Sequence, residues 1–200
     1  MIFSLFSRKA KANEAITTAL YDQIVAAARQ PRFYAEFELP DTPLGRYEML
    51  SLHMFLFMHR LKGCEGKGAD SLRDIGQDIT DYFFQDVDHS LRELGIGDQG
   101  VPKRMKKLAR MFYGRVESYD AAIAAQDQPA LEAALARNIR PDIENWGGVV
   151  PVAYYVFDAV RLLAKLDDAE IAAGRIVFPD IAEQKVSENT HKQEIIADET

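Results

Sequence analysis

The stretch from Pro43 to Lys62 constrains the possible fold more than any other part of this chain. Its middle, Leu50 to Met58, is apolar except for Ser51 and His53. A helix that is apolar nearly all round must be surrounded by other elements or by lipid. A membrane span needs ~20 mostly apolar residues, but this stretch is interrupted by polar side chains, namely Arg46, Glu48, His53, His59 and Arg60. We therefore expect it to be the central helix of a soluble helical domain.

Start and stop signals support this helix and predict others around it. Thr42 can cap the first turn, Pro43 suits the first helical position, and Gly63 suits the exit. Apolar residues at helical spacing predict five further helices: Asn13, as the cap, to about Gln30; Ala69 to Leu94; Pro102 to about Ala125; a shorter helix after Asp127 that ends near Asn138; and about Val149 to Leu166. Residues 32–40 are expected to form a short helical turn and a connector, and residues 167–179 follow no clear pattern.

Because alternating strand patterns are scarce, we predict an all-α chain, a single irregular helical bundle around a buried central helix. The expected organisation has three parts. Residues 1–12 form an interfacial or disordered segment, residues 13–180 form the helical domain, and residues 181–200 form a polar tail. The tail lacks aromatic residues and is expected to be disordered.

Composition limits the classes of function. The chain has 200 residues, 48% of them hydrophobic, which is ample for one substantial core. Its net charge of −7 argues against a general nucleic-acid binder, and so against DNA as a partner. Cys64 is the single cysteine of the sequence, which excludes an intramolecular disulfide and a four-thiolate zinc site and fits a reducing compartment.

The amino-terminal run allows two interpretations. It has apolar side chains followed by bases, namely Ile2, Phe3, Leu5, Phe6, Arg8, Lys9 and Lys11. A secretory signal would place its charge first and carry a longer apolar region. The run is then either a frayed first helical turn or a small interfacial anchor, in which the apolar side chains enter the headgroup region and the bases meet anionic lipid.

Two patterns resemble functional motifs but lack their context. Residues 95–100 spell G-x-G-x-x-G, yet the dinucleotide fingerprint needs a preceding strand, and a helix is expected there. Asp74, Asp78 and Asp81 share one helix face and could hold Mg²⁺ for a diphosphate, as in helical isoprenoid synthases. Because no second carboxylate cluster faces them, a solvated acidic face is the favoured interpretation. A metal-dependent helical enzyme stays as an alternative.

The histidines and Cys64 form no recognisable catalytic group. His53 and His59 are six residues apart and point to different sides of their helix. His89 suits a surface or capping role, and His191 lies in the tail. Cys64 would be reactive only if it were exposed. We therefore expect no catalytic residue, metal or cofactor.

The most informative charge pattern is a run of bases that begins the helix at Pro102. We call it the basic face, formed by Lys103, Arg104, Lys106, Lys107 and Arg110 and extended by Arg115. One interpretation is a solvated surface that pairs with the acidic helix before it. The other is a docking surface for phosphate groups of RNA or of anionic lipid.

The same region resembles the ubiquinol–cytochrome c chaperone family. The resemblance covers roughly residues 15–165 and is most specific in its middle third. The residues that carry it are Asp86, Asp88, Arg92, Glu93, Gly95, Gly97, Asp98, Tyr113, Gly114, Arg115, Tyr119, Asp120, Arg137 and Asn138. Leu52-His53 and Arg60-Leu61 of the central helix occupy the place of that family's leucine-histidine segment.

This resemblance implies assembly work and no catalysis. Members of the family are assembly factors of the cytochrome bc1 complex, and the mitochondrial ones act on new cytochrome b near the ribosome and the inner membrane with a small partner protein. The absence of a long presequence and of a clear membrane span points to a bacterial, cytoplasmic relative, peripheral at the inner membrane. A general helical interaction scaffold is a further alternative.

A chaperone of this kind needs an apolar groove for its client, cytochrome b or another bc1 subunit. Aromatic residues before the central helix and in the last helix are the candidates for its lining. They are Phe33, Tyr34, Phe37, Tyr154, Tyr155 and Phe157. Ordinary core packing is the alternative for each of them taken singly.

Overall fold

The chain folds around its central helix. The computed structural model describes residues 2–64 and 68–183, without the side chains of residues 2–12 and 183. These residues form no strand, and their helices are α1 (Ile2–Ala28), α2 (Pro31–Ala35), α3 (Pro43–Lys62), α4 (Ala69–Glu93), α5 (Val101–Ala125), α6 (Gln128–Ile139), α7 (Val149–Ala164), α8 (Asp168–Ala172) and a 3-10 helix, Ile181–Glu183. The all-α prediction is confirmed.

The central helix α3 has the predicted ends and the predicted burial. Thr42 Oγ1 accepts a hydrogen bond from the Gly45 backbone N–H over 3.1 Å, Pro43 is the first residue, and Gly63 follows the last. Residues 49–57 are all buried. They are covered because α1, α4, α5, α6 and α7 all contact α3. The prediction of a buried central helix is therefore confirmed.

The first helix begins earlier than predicted. Its backbone is helical from Ile2, so Asn13 lies inside α1 and does not cap it. Residues 2–28 contain neither proline nor glycine and are rich in good helix formers, so nothing stops the helix before Ala28. The side chains of residues 2–12 lie outside the described part, and the interfacial-anchor interpretation stays a prediction.

The region after α7, for which no pattern was found, packs back onto α1. Asp167 Oδ1 accepts from the Ala169 N–H over 3.1 Å and caps α8. The following residues run without helix as far as the 3-10 helix. Ile181, expected at the start of a disordered tail, is fully buried. Residues 184–200 lie outside the described residues.

Candidate functional site

Three of the six residues predicted to line a client groove belong to the closed core. Phe33 and Tyr155 are fully buried, with ring centroids 5.0 Å apart. Phe37 is also buried, and its carbonyl oxygen accepts from Trp146 Nε1 over 2.7 Å. For these three the groove prediction is wrong, because α2 and α7 close over α3 at this position and leave no open surface.

The other three predicted groove residues are half-buried. The Tyr34 hydroxyl donates to the Ala28 carbonyl oxygen over 3.0 Å, which holds this ring against the end of α1. Tyr34 and Phe157 pack against the core, so their apolar surface is largely used within the fold. Tyr34, Tyr154 and Phe157 remain at the edge of the core and do not form an open groove with Phe33 and Tyr155.

An open apolar groove lies elsewhere, between the end of α1, the start of α3, the end of α4 and α5. Its volume is about 620 Å³. Leu44 and Leu94 both line it and are 54% and 57% exposed, so they place two large apolar side chains on one open surface. We call it the leucine groove; its apolar wall consists of Val25, Ala28, Pro43, Leu44, Leu50, Val87, Leu91, Leu94 and Leu108.

Charges surround this apolar wall. Arg46 Nε donates to Asp41 Oδ1 over 2.6 Å, and this hydrogen bond lowers the pKa of Asp41. The carboxylate of Asp86, which lines the groove, accepts from the Tyr21 hydroxyl over 2.8 Å and so ties α4 to α1. Arg29 and Glu93 also line it. The leucine groove thus has an apolar wall with a polar rim, the arrangement typical of a surface that binds another chain.

Sequence reasoning missed this groove. Leu44 and Leu94 continue the apolar pattern of their helices, so periodicity assigns them to the core. They are exposed because each lies at an end of its helix, where the groove opens, and not in the covered middle. Leu44 lies in the first turn of α3, and Leu94 is the last residue before Gly95. These terminal positions are the signal in the sequence that could have suggested their exposure.

The basic face is exposed on α5. Lys103, Arg104, Lys106, Lys107 and Arg110 are all exposed. In the described part of the chain, the ion pairs of α4 join this helix to itself and to the loop that follows it, as in Arg92 with Asp88 and Asp98. Among the described residues, the bases of the basic face therefore form no ion pair with the acidic helix α4.

Arg115 does not belong to the basic face, and its assignment there is corrected. It is buried, and its Nη2 donates to Glu48 Oε1 over 2.6 Å. The reason is that α3 packs against α5 at this level and supplies a buried carboxylate. Burial raises the pKa of Glu48 to about 7, although the charge of Arg115 and its hydrogen bond act in the opposite direction.

The motif residues around the loop between α4 and α5 hold that loop in place. Arg92 Nε donates to Asp88 Oδ2 over 2.6 Å, and Arg92 Nη1 also pairs with Asp98. Gly95 has a φ of 79°, the left-handed conformation that ends many helices and that glycine adopts at little cost. The G-x-G-x-x-G pattern is thus a helix-to-helix turn, as predicted.

The motif residues of α5 and α6 divide between interior and surface. Tyr119 is buried, and Asn138 Nδ2 donates to its hydroxyl oxygen over 3.4 Å. Asp120 accepts from His59 Nδ1 over 2.8 Å and pairs with Lys62, which joins α5 to α3. By contrast the motif also contains residues that are exposed, namely Gly97, Tyr113, Gly114 and Arg137.

The remaining sequence candidates form no reaction centre in the described part of the chain. Asp74, Asp78 and Asp81 are exposed, and no group of three or more acidic, histidine or cysteine side chains there could hold a metal ion. Cys64 is buried and accepts from Arg60 Nη1 over 2.9 Å, so the exposure that reactivity requires is missing. His89 is exposed, and His191 lies outside the described residues. Nor does any described helix have the length and apolar character needed to cross a membrane.

His53 is a core residue. Its Nδ1 lies 2.8 Å from the Met49 carbonyl oxygen, so Nδ1 carries the proton, and Nε2 accepts from the Tyr155 hydroxyl over 2.7 Å. Burial lowers the pKa of His53 to about 4. The ring is thus neutral and fully hydrogen-bonded at physiological pH, which excludes it from surface chemistry.

Comparison with known proteins identifies the family. The profile described as "Ubiquinol-cytochrome C chaperone" matches residues 35–178. The chain is 24% identical over 167 residues to the ubiquinol-cytochrome-c reductase complex assembly factor 1 of Xenopus laevis, covering 82% of this chain and 81% of that protein. It is 26% identical over 168 residues to the mitochondrial protein CBP3 of Saccharomyces cerevisiae, covering 81% of this chain and 48% of that protein.

A solved structure points to the same family as these relatives. The crystal structure of the Cbp3 homolog from Brucella abortus superimposes with a TM-score of 0.82 at 60% sequence identity. The match covers 91% of this chain and 98% of that chain. Together with the profile match over most of its length, this shows that the chain belongs to the ubiquinol–cytochrome c chaperone family.

Proposed function

We propose that this protein is a non-catalytic assembly chaperone of the cytochrome bc1 complex whose client is cytochrome b. The observation that carries the proposal is the leucine groove, where Leu44 and Leu94 are more than half exposed on one apolar wall. Membership of the family supports assembly of bc1 as the task. The groove supplies what such a task requires, a surface that covers an apolar client segment until its final partners arrive.

The size and the rim of the leucine groove suit a short client segment. A volume of about 620 Å³ accommodates several apolar side chains. The proposed client, cytochrome b, is a membrane protein. Before insertion its segments expose apolar surface to water, and burial of that surface in the groove would be favourable. The exposed Arg46–Asp41 pair at the rim can turn toward polar groups that flank such a segment.

The basic face supplies a second surface in this proposal. Its five exposed bases suit an anionic partner. Because the chain as a whole has a net charge of −7, we expect an anionic partner to be attracted only to this side of the molecule. We assign it to docking at anionic membrane lipid, with the ribosome as the other candidate surface. A small partner protein, implied by the resemblance, completes the proposed set of partners.

The test of the client site replaces Leu94 by glutamate in cells that lack their own copy of the gene. Leu94→Glu places a charge on the apolar wall, and we expect loss of assembled bc1 complex and of cytochrome b that co-purifies with the protein. Val177→Glu is the matched control, because Val177 is 56% exposed and does not line the groove. Normal bc1 assembly with Leu94→Glu, at an unchanged melting temperature, would refute the leucine groove as the client site.

A further inference from the structure

A second pocket opens between the start of α3, the middle of α5 and the end of α6. We call it the Gly114 pocket; its volume is about 560 Å³. Arg110, Arg115 and Arg137 all line it. Its apolar wall consists of Pro40, Leu44, Met111, Ile139 and Pro141. Positive charge and apolar surface therefore lie side by side in one concave site.

Positive charge is in excess in this pocket, where three arginines stand beside the two carboxylates of Glu48 and Asp142. Arg110 and Arg137 are exposed. Beneath them the buried Arg115 donates through Nη2 to Glu48, which also lines the pocket. Among the described residues, Nε and Nη1 of Arg115 and Oε2 of Glu48 have no hydrogen-bond partner. The acidic Asp142 is engaged by Arg140, through Nη2 at 3.1 Å. Buried donors without partners are rare in folded proteins, and at the wall of a cavity they favour an anionic ligand.

Gly114 shows that the pocket is not a packing accident. It lies in the interior of α5, where glycine costs about 1 kcal/mol of stability relative to alanine. A Cβ atom at this position would meet no atom within 4 Å, so close packing does not require glycine here. Because Gly114 lines the pocket, a side chain at this position would occupy part of the pocket, and glycine keeps that space open.

The basic face leads to this opening. Lys103, Lys107, Arg110 and Gly114 follow one another at helical spacing, so the first three bring positive charge along one side of α5 to the pocket. Guanidinium groups match phosphate oxygens by paired hydrogen bonds. A phosphate that carries an apolar body fits the combination of three arginines with the wall formed around Leu44 and Met111.

We propose that the Gly114 pocket binds the phosphate group of an anionic phospholipid headgroup, with Arg110 and Arg137 in direct contact and Arg115 supplying positive potential from beneath. The inference rests on the proposed docking of the basic face at lipid. It adds a specific site to that docking: the face attracts the membrane, and the pocket takes one headgroup.

The test separates the pocket from the face. Calorimetry measures binding of soluble glycerol phosphate and of inorganic phosphate, and flotation measures binding to phosphatidylcholine vesicles with or without phosphatidylglycerol. Gly114→Leu fills the pocket without removing a charge, and Ala121→Leu is the matched control at an exposed position of the same helix that does not line the pocket. Melting temperatures report folding.

We expect glycerol phosphate to bind the wild type more tightly than inorganic phosphate does. We expect Gly114→Leu to weaken that binding about tenfold or more, at an equal or higher melting temperature, while Ala121→Leu binds as the wild type does. Reversal of Lys103, Lys106 and Lys107 should reduce vesicle binding but preserve glycerol phosphate binding. If vesicles fail to bind and glycerol phosphate still does, the docking proposal fails and lipid is refuted as the ligand, and the pocket is then a site for a soluble phosphate ester.

Two further results would overturn the inference. One is unchanged glycerol phosphate binding by Gly114→Leu, which would place the ligand elsewhere. The other is equal binding of inorganic phosphate and glycerol phosphate, which would leave the apolar wall without a role and remove the lipid headgroup as the ligand.

Discussion

His53 illustrates how a residue that looks functional in the sequence serves the core. It lies in the middle of α3 with no exposed surface, and its ring lies 5.2 Å from that of Phe178 and 5.9 Å from that of Phe33. Its two nitrogens are both hydrogen-bonded inside the protein. A charged imidazole here would lose hydration and gain no counter-ion, so the folded protein holds His53 neutral.

This burial predicts a specific dependence of stability on pH. The unfolded chain binds a proton at His53 with a pKa near 6.5, whereas the folded protein binds it only near pH 4. The stabilising contribution is therefore complete above about pH 6.5, and up to about 3 kcal/mol of it is lost as the pH falls toward 4. Urea denaturation of the wild type at several pH values between 7 and 4 measures this loss.

The variant His53→Gln separates this effect from other titrations. Glu48 acts in the opposite direction, because its pKa is raised to about 7 and its stabilising contribution is lost as the pH rises from about 4.5 to 7. Both proteins share Glu48, so the difference in unfolding free energy between them isolates His53. We expect that difference to shrink as the pH falls below 6.5. Parallel curves for the two proteins would contradict the assignment.

At the scale of elements, two glutamines anchor the segment that follows α8, namely Gln23 of α1 and Gln30 in the connection between α1 and α2. Gln23 donates through Nε2 to the Gly174 carbonyl oxygen over 2.8 Å and accepts through Oε1 from the Ile176 N–H over 3.0 Å. Gln30 donates through Nε2 to the Pro179 carbonyl oxygen over 3.1 Å and accepts through Oε1 from the Ile181 N–H over 2.9 Å. Each side-chain amide thus satisfies a backbone donor and a backbone acceptor that helix geometry cannot satisfy.

We predict that Gln23→Ala and Gln30→Ala together release this segment while the bundle stays folded. Each substitution leaves backbone groups without partners, at a cost of about 1–3 kcal/mol per unsatisfied group when they remain buried. Amide hydrogen exchange at Ile176 and Ile181 should become much faster, and exchange in the middle of α3 should not change.

The control is Gln77→Ala on α4, where the glutamine is exposed and bonds to Asp81 of its own helix. We expect exchange at Ile176 and Ile181 to be unaffected in this variant. Unchanged protection of these two amides in the double variant would show that packing of Ile176 and Ile181, both buried, anchors the segment without the glutamines.

At the scale of the whole molecule, charge is distributed unevenly. The chain carries 24 basic and 31 acidic side chains, yet five exposed bases fall within two turns of α5. An anionic surface would therefore be repelled by most of the molecule and attracted by this one side. In the proposed docking, such a distribution would orient the protein at the membrane, with the Gly114 pocket at the end of the basic face.

We predict that binding to phosphatidylglycerol vesicles depends steeply on salt. Exposed bases interact with anionic lipid over about one Debye length, which shrinks from about 10 Å at 0.1 M salt to about 3 Å at 1 M. Reversal of Lys103, Lys106 and Lys107 to glutamate should abolish sedimentation with these vesicles, and with ribosomes if they are the docking surface. Reversal of Lys165, an exposed base directly after α7, is the control and should have little effect. Unchanged sedimentation of the triple variant would disprove docking through the basic face.

Local sequence signals determined most of the helices of this protein. The cap at Thr42, the proline at 43 and the glycine at 63 define α3 because capping and chain stiffness depend on neighbouring residues. The same holds for Asp127, whose Oδ1 caps α6 through the Ala130 N–H. The apolar circumference of α3 determined that it is central, since such a helix has to be covered on every side.

Only the tertiary structure decided which surfaces meet and which stay open. Arg115 stands in a run of bases, yet it is buried because Glu48 of another helix lies opposite it. Leu44 and Leu94 fit the apolar pattern of their helices, yet they are exposed because they lie at helix ends that border the leucine groove. Burial and pairing of this kind depend on contacts between residues far apart in the chain. Helical periodicity records only which side of a helix is apolar, and it carries no information about what covers that side.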